Sequence, residues 1–160
     1  FFDIVFSVIF EIVYLLLDKN SSITIKLGEK KMAIAEGRVF NFEDEKAIRT
    51  DFLETFDYNG HPQFIEYKTN EFSCVCPFSG LPDFGTLIIH YIPSSKIVEL
   101  KSLKYYIISY RNVGLYQEAV TNKLFEDLKQ LLASTYLKIT TIYNTRGGID
   151  ATCTLEHGKK

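Results

Sequence analysis

Cys76 stands where a strand-like run meets a turn rich in proline and glycine, and Asp83 follows seven residues later across that turn. A thiol and a carboxyl brought together this way suit covalent catalysis, the thiolate as nucleophile and the carboxyl as proton donor. Strand ends and loops are where reactive groups are presented. Each residue also has a plainer reading. A lone cysteine is often a small buried hydrophobe, and an aspartate after proline often caps a turn through backbone N–H groups.

A second cluster is Glu99-Leu100-Lys101-Ser102-Leu103-Lys104, at a strand-to-helix junction. Backbone N–H groups at a helix start, with Ser102, Lys101 and Lys104 beside them, suit a phosphate; the plainer reading is a solvated first turn with a serine cap. Arg146-Gly147-Gly148 adds a cation and free N–H groups, either for an anion or simply as a hairpin turn with a surface arginine. Glu118, near the start of the last helical stretch, either compensates the helix dipole or accepts two hydrogen bonds from a guanine-type edge. His61, His90 and His157 are scattered, and none is a candidate ligand.

The elements that must position these groups can be read from periodicity. Ala47 to Phe56 reads as a short helix. Gln63–Cys76, Phe84–Ile92 and Lys96–Leu100 read as strands, rich in aromatic and β-branched residues. Leu103–Tyr110 reads as a helix with Leu103, Tyr106, Ile107 and Tyr110 on one face. A second helix covers Tyr116–Ala133, with Val120, Leu124, Leu128, Leu131 and Leu132 on one stripe. Leu137–Tyr143 and Ile149–Leu155 read as a hairpin closed through Asn144–Gly148, where paired glycines supply positive φ. The order predicts an α+β domain: an antiparallel sheet with two helices on one face.

Composition narrows the function. A chain of 160 residues suits one domain. The formal net charge of −2 gives no bulk basic field for nucleic acid. Three cysteines, an odd count in a CxC and a single, speak against a disulfide framework and a zinc ribbon, and for a reducing, cytoplasmic setting. The apolar stretch Phe1–Leu17 contains Asp3 and Glu11 and is short for a membrane span of about 20 residues. It reads as a weak anchor, as an amphipathic helix, or as sequence outside the native protein. The last is favoured, because Gly28-Glu29-Lys30-Lys31 precedes the only methionine, Met32, as a translated purine-rich ribosome-binding site would. Residues 1–31 are then an extension and 32–160 the functional domain.

Four segments in order resemble the single-module NADPH-dependent 7-cyano-7-deazaguanine reductase family. Glu71–Phe84 is similar to its EFxxVCPFxGxPDF stretch, and Val98–Tyr106 to its signature of Glu, Ser or Leu, Lys, Ser or Ala, a hydrophobe and Lys. Tyr110-Arg111-Asn112 with Glu118, and Asn144–Gly148, complete the match. The resemblance implies the tunnelling fold, with modules joined edge to edge into a multi-subunit barrel and sites between subunits of a homo-oligomer. It implies Cys76 as nucleophile and Asp83 as proton donor. Val98, Glu99, Leu100, Gln117 and Glu118 would contact a deazapurine. Lys101, Arg146 and Gly147 would hold NADPH, supported by Ser102 and Lys104. It implies neither metal, nor direct nucleic-acid contact, nor membrane. Gln117 stands where many members carry His, and Thr145 where many carry Pro; a proton shuttle assigned to that His does not transfer. The competing readings are an amidinotransferase of the same fold, a zinc cyclohydrolase, and a non-catalytic purine-binding module.

Overall fold

Strict alternation of buried residues with exposed or half-buried ones runs through the strand Pro82–Ile92, with Asp83, Gly85, Leu87, Ile89 and Tyr91 turned inward. That period of two requires one covered face and one open face. The computed structural model describes residues 33 to 159, so the N-terminal stretch and Met32 lie outside the described residues. Its strands are β1 (Thr55–Asp57), β2 (Ile65–Val75), β3 (Pro82–Ile92), β4 (Lys96–Val98), β5 (Tyr136–Arg146) and β6 (Ile149–Gly158). Two helices, α1 (Leu100–Ile108) and α2 (Gln117–Leu132), lie between β4 and β5.

The four long strands form one antiparallel sheet in the order β2-β3-β5-β6. Both helices cover the same face. Leu103 and Tyr106 of α1, and Val120, Leu124, Leu128 and Leu132 of α2, share one core with Leu87, Ile89, Tyr91, Leu137 and Ile139. The α+β architecture expected from element order is therefore the one observed. β1 and β4 pair only with each other, as a separate ribbon; the run from Lys96 is a strand, but it does not join the main sheet.

The two helices are tied by a partly buried polar clamp. The Tyr106 hydroxyl donates to Asp127 at 2.7 Å and meets the Tyr110 hydroxyl at 2.7 Å. Lys123 donates to the same carboxylate at 2.6 and 2.8 Å. Every polar group in the clamp has a partner, which removes most of the cost of burying it. The clamp sets the angle between the helices, and with it the position of their first turns.

Two expectations shift. Ala47–Phe56 is not a helix but two single 3-10 turns, Glu45–Ala47 and Thr50–Phe52, followed by β1. Of that segment only Ile48 is buried, so no apolar stripe exists to hold a helix. The first long helix starts at Leu100 and ends at Ile108 instead of running Leu103–Tyr110. The cause is the Glu99 side chain, which accepts from the Lys101 and Ser102 amides at 2.9 and 2.6 Å. Glutamate is not among the preferred capping residues, so the sequence conceals this start.

The β2–β3 hairpin closes through Cys76–Leu81. The Cys76 amide donates to the Leu81 carbonyl at 2.9 Å, and the Gly80 amide to the Cys76 carbonyl at 2.7 Å. The Phe40 amide holds the Ser79 carbonyl from outside. Gly80 has φ +70°, and a Cβ there would stand 2.3 Å from the Phe40 carbonyl oxygen. Both the backbone angle and the space demand glycine. Gly80→Ala is expected to cost about 1 kcal/mol or more. Urea unfolding checks this; an unchanged midpoint would show that the loop does not depend on the close approach.

Candidate active site

β2 carries a one-residue bulge. Thr69 pairs with Leu87 and Phe72 with Gly85, so Asn70 and Glu71 stand opposite Thr86 alone. Such a bulge reverses which residues face inward. Before it, Ile65, Tyr67 and Thr69 turn toward the core; after it, Phe72 and Cys74 do, both fully buried. Cys74 is thereby paired with Asp83 on the same face, and Cys76, two residues further, follows on that side.

Cys76 is only partly covered. Burial pushes its thiol up, but the Phe78 and Ser79 amides and the Ser79 hydroxyl stabilise the thiolate more, and the net result is below the ordinary value of 9.0. Cys74 behaves oppositely. Desolvation, with the negative charge of Asp83 beside it, pushes its thiol up to about 12. Cys76 is therefore the more readily ionised of the two thiols.

Asp83 is 5% exposed. Burial raises its carboxyl above the usual range, and Arg146 opposes that shift. The Arg146 guanidinium reaches Asp83 from the end of β5 and forms an ion pair with it, while itself remaining 43% exposed. Gly85 pairs with Tyr143, so the end of β5 lies beside the start of β3. The β5–β6 turn is built by Gly147 and Gly148 at φ +57° and +78°, narrower than the five-residue connection expected. Added Cβ atoms at either glycine would meet nothing within 4 Å, so this turn is open to a ligand.

The remaining predicted residues gather elsewhere, at the helix starts. Glu99 caps α1. Ser102 is buried, donates to the Glu99 carbonyl at 2.7 Å and accepts from the Glu54 amide at 3.1 Å. These bonds change the phosphate reading: the Lys101 and Ser102 amides are already taken by a carboxylate, so an anion there relies on side-chain cations. Lys101 and Lys104 are exposed, as is Leu100. Val98 is 3% exposed, which leaves only its backbone for a ligand. Gln117 is half-buried and Glu118 exposed in the first turn of α2. A cavity of roughly 370 Å³ is lined by Asp51, Phe52, Glu54, Glu99, Lys101, Ser102 and Tyr105. Cys76, Asp83 and Arg146 do not line it. Within one chain the predicted residues thus form two groups, the thiol–carboxyl–arginine group and the helix-start group. Among the described residues, no three His, Cys, Asp or Glu side chains converge as a metal site, and no helix is long and apolar enough to cross a membrane.

Sequence reasoning did not find Ser79 or Tyr143. Tyr143 faces Cys74 and Asp83 from β5, a relation set by strand register and invisible in local spacing.

The thiol contrast gives a direct test. Cys74 is pushed to about 12 and Cys76 lies below 9.0, a gap of at least about three units, each worth tenfold in thiolate. Iodoacetamide near neutral pH should therefore label Cys76 on the order of ten to a hundred times faster than Cys74, the greater nucleophilicity of the higher-pKa thiolate offsetting part of its scarcity. Peptide mass mapping at timed quenches checks this; equal labelling of both in the folded protein would contradict the assigned environments.

The chain is similar to several known proteins. The profile of the QueF-like protein family matches residues 82–160. A Thermotoga petrophila protein named NADPH-dependent 7-cyano-7-deazaguanine reductase is 58% identical over 122 residues, 76% of this chain and 89% of that protein. The protein of that name from Thermoanaerobacter pseudethanolicus is 48% identical over 115 residues, 70% of this chain and 86% of its own length. A solved structure described as the archaeosine synthase QueF-Like in the apo form superposes with TM-score 0.58 at 25% identity, covering 63% of this chain and 99% of its own. Relatives this similar, aligned over most of their own length, carry the conclusion that the chain belongs to the NADPH-dependent 7-cyano-7-deazaguanine reductase family.

Proposed function

We propose that the chain reduces the nitrile of 7-cyano-7-deazaguanine to the aminomethyl group with NADPH, a step of queuosine tRNA modification. The observation that carries this reading is a thiolate-stabilised Cys76 beside a buried Asp83 whose carboxyl is raised by desolvation. A nitrile carbon accepts hydride poorly; adding a thiolate converts it to a more electrophilic, tethered thioimide. Cys76 supplies the thiolate. Asp83 supplies the proton to nitrogen as the C–S bond forms, and burial keeps that proton available nearer neutral pH. Two NADPH, bound one after the other, would each supply one hydride, four electrons in all, to carry nitrile to amine.

The donor set fits an anionic cofactor. Lys101 and Lys104 are exposed cations, and Arg146 stands beside the open Gly147-Gly148 turn. Glu99 and Glu118 supply carboxylates for a guanine-type edge, with Gln117 as a further donor where many members carry His. The amidinotransferase reading draws on the 25% identical structure named archaeosine synthase; the 58% identity to proteins named as reductases outweighs it.

Purified protein mixed with 7-cyano-7-deazaguanine and NADPH should consume cofactor, read at the nicotinamide absorbance. With the nitrile alone, intact mass should show an adduct in wild type and in Cys74→Ala, and none in Cys76→Ala. An adduct that survives in Cys76→Ala would defeat the nucleophile assignment. Nitrile present without cofactor consumption would favour a transferase or a binding module.

We also propose that the active form is a homo-oligomer joined edge to edge. β2 and β6 are the sheet's two edges, with 11 and 10 residues, and long unpaired edges invite pairing. The face away from the helices exposes Phe84 and Ile142. The separation of the thiol group from the helix-start group also suits a site completed by a second chain. Light scattering and activity across a dilution series test this. Loss of activity as the assembly dissociates is expected; a fully active species with the mass of one chain would overturn it.

A further inference from the structure

Residues 40–43 run as an arm between two loops that are distant in sequence. At one end the Phe40 amide donates to the Ser79 carbonyl at 3.1 Å, and the Phe40 backbone lies flat against Gly80. At the other end the Glu43 amide donates to the Asn112 carbonyl at 2.8 Å, and the Glu43 carbonyl accepts from the Gly114 amide at 2.9 Å. Between these points sits Phe42, half-buried. Its ring covers Gly114, where an added Cβ would stand 2.2 Å from Phe42 Cδ2. Gly114 in turn bridges Val75, the last residue of β2. The Val75 amide donates to the Val113 carbonyl at 3.1 Å, and the Leu115 amide to the Val75 carbonyl at 3.2 Å. The arm, the α1–α2 connection and the end of β2 thus lie side by side, and Cys76 is the next residue.

What the arm fastens is one peptide group of the thiol turn. The Ser79–Gly80 peptide has its oxygen on the Phe40 N–H and its own N–H on the Cys76 carbonyl, at 2.7 Å. A peptide beside a glycine can flip at little steric cost unless both its ends are held. A flip here would re-aim Ser79. We propose that Phe42 is a positioning residue for the nucleophile, its ring anchoring the arm that keeps the Ser79–Gly80 peptide from flipping. The inference rests on the reading of Cys76 as the nucleophile of a reductase.

The held peptide carries the serine whose amide and hydroxyl, with the Phe78 amide, stabilise the Cys76 thiolate. Such dipoles help only while they point at the sulfur. The titratable and charged groups around Cys76 are Asp83 on β3 and Cys74 on β2, with Arg146 of β5 on the Asp83 carboxyl. Phe42 and Gly114 carry no charge and touch none of these by side chain. A change at either therefore reaches the thiol through the geometry of the turn. The sign follows. Loss of the N–H donors raises the Cys76 thiol, which leaves less thiolate near neutral pH. At high pH the thiol is fully ionised with or without the arm, and the thiolate of higher pKa is the better nucleophile.

Iodoacetamide labelling of Cys76 is followed by peptide mass mapping across a pH series in wild type, Phe42→Ala, Phe42→Leu and Gly114→Ala. Phe42→Ala removes the anchor, Phe42→Leu keeps apolar cover over Gly114, and Gly114→Ala displaces the ring without deleting it. In Phe42→Ala and Gly114→Ala the Cys76 midpoint should rise by roughly one pH unit. Labelling near neutral pH should slow by about threefold, a tenfold loss of thiolate being partly offset by its greater nucleophilicity. The variant and wild-type curves should cross at high pH. Phe42→Leu should recover most of the wild-type profile, and Cys74 should stay slow throughout. A role in packing alone would lower the urea midpoint and leave the Cys76 profile in place, which overturns the proposal. Where Phe42→Ala unfolds and exposes Cys74, Gly114→Ala decides: a raised midpoint upholds the anchor, and a profile superimposable on wild type overturns it. Labelling needs neither nitrile nor NADPH, so its failure leaves the reductase reading standing. A wild type that forms no adduct with the nitrile overturns the reductase reading, and with it the part of Phe42 in catalysis.

Discussion

One extra residue in β2 decides what the end of that strand can do. Strand side chains alternate with a period of two, so inserting a residue exchanges the faces. The bulge at Asn70-Glu71 lets the first half of β2 place Tyr67 and Thr69 toward the core and the second half place Phe72 and Cys74 there. Without it, the register that pairs Thr69 with Leu87 would set Ser73 opposite Asp83 and turn Cys74 to the other face. The thiol loop, the buried carboxyl and the arginine from β5 all depend on that exchange. Phe72, fully buried with its ring tilted against Tyr110, anchors the shifted register in the core.

Asp83 ends the row of inward-facing β3 residues that also contains Leu87, Ile89 and Tyr91. A carboxyl at the end of an apolar row is poorly solvated, and an unpaired charge there is costly. Only Arg146 offers a formal opposite charge to it among the described ion pairs. That pairing opposes the upward push of burial on the carboxyl, which still lies above its usual range. The same low-dielectric setting leaves Cys74 neutral and inert, while Cys76, two residues on, meets the N–H groups of its own turn. Ease of ionisation differs between two nearly adjacent cysteines chiefly through solvation and the N–H groups of the turn.

At the other group, Glu99 uses its carboxylate to close the first turn of α1, and Ser102 is absorbed into the junction with Glu54. The Tyr106–Tyr110–Asp127–Lys123 clamp then fixes α1 against α2. The helix starts bearing Leu100, Lys101, Gln117 and Glu118 are held by buried bonds well away from them. Lys101 and Lys104 keep their charges outside, where an anionic ligand can reach them.

Much of this was legible from the sequence because it rests on local rules. Period-two strands, the apolar stripe of α2, the double-glycine hairpin and the turn after Cys76 follow from side-chain alternation, helix pitch and backbone freedom. Cys76 and Asp83 stand out as candidate nucleophile and acid by residue type, spacing and resemblance. Other features were not legible, because they arise from pairings between distant segments. The helix expected at Ala47–Phe56 dissolves because its neighbours bury only Ile48. The Lys96 strand finds β1 instead of the main sheet. Glu99 reads as a ligand-binding residue in the sequence but also closes its own helix start. The partner of Arg146 could not be read at all: a hairpin arginine looks like a surface cation until strand register brings β5 beside β3 and places a buried carboxylate within its reach. Sequence determined which groups are chemically able; the tertiary structure, by setting register and burial, decided which charges meet and which thiol can react.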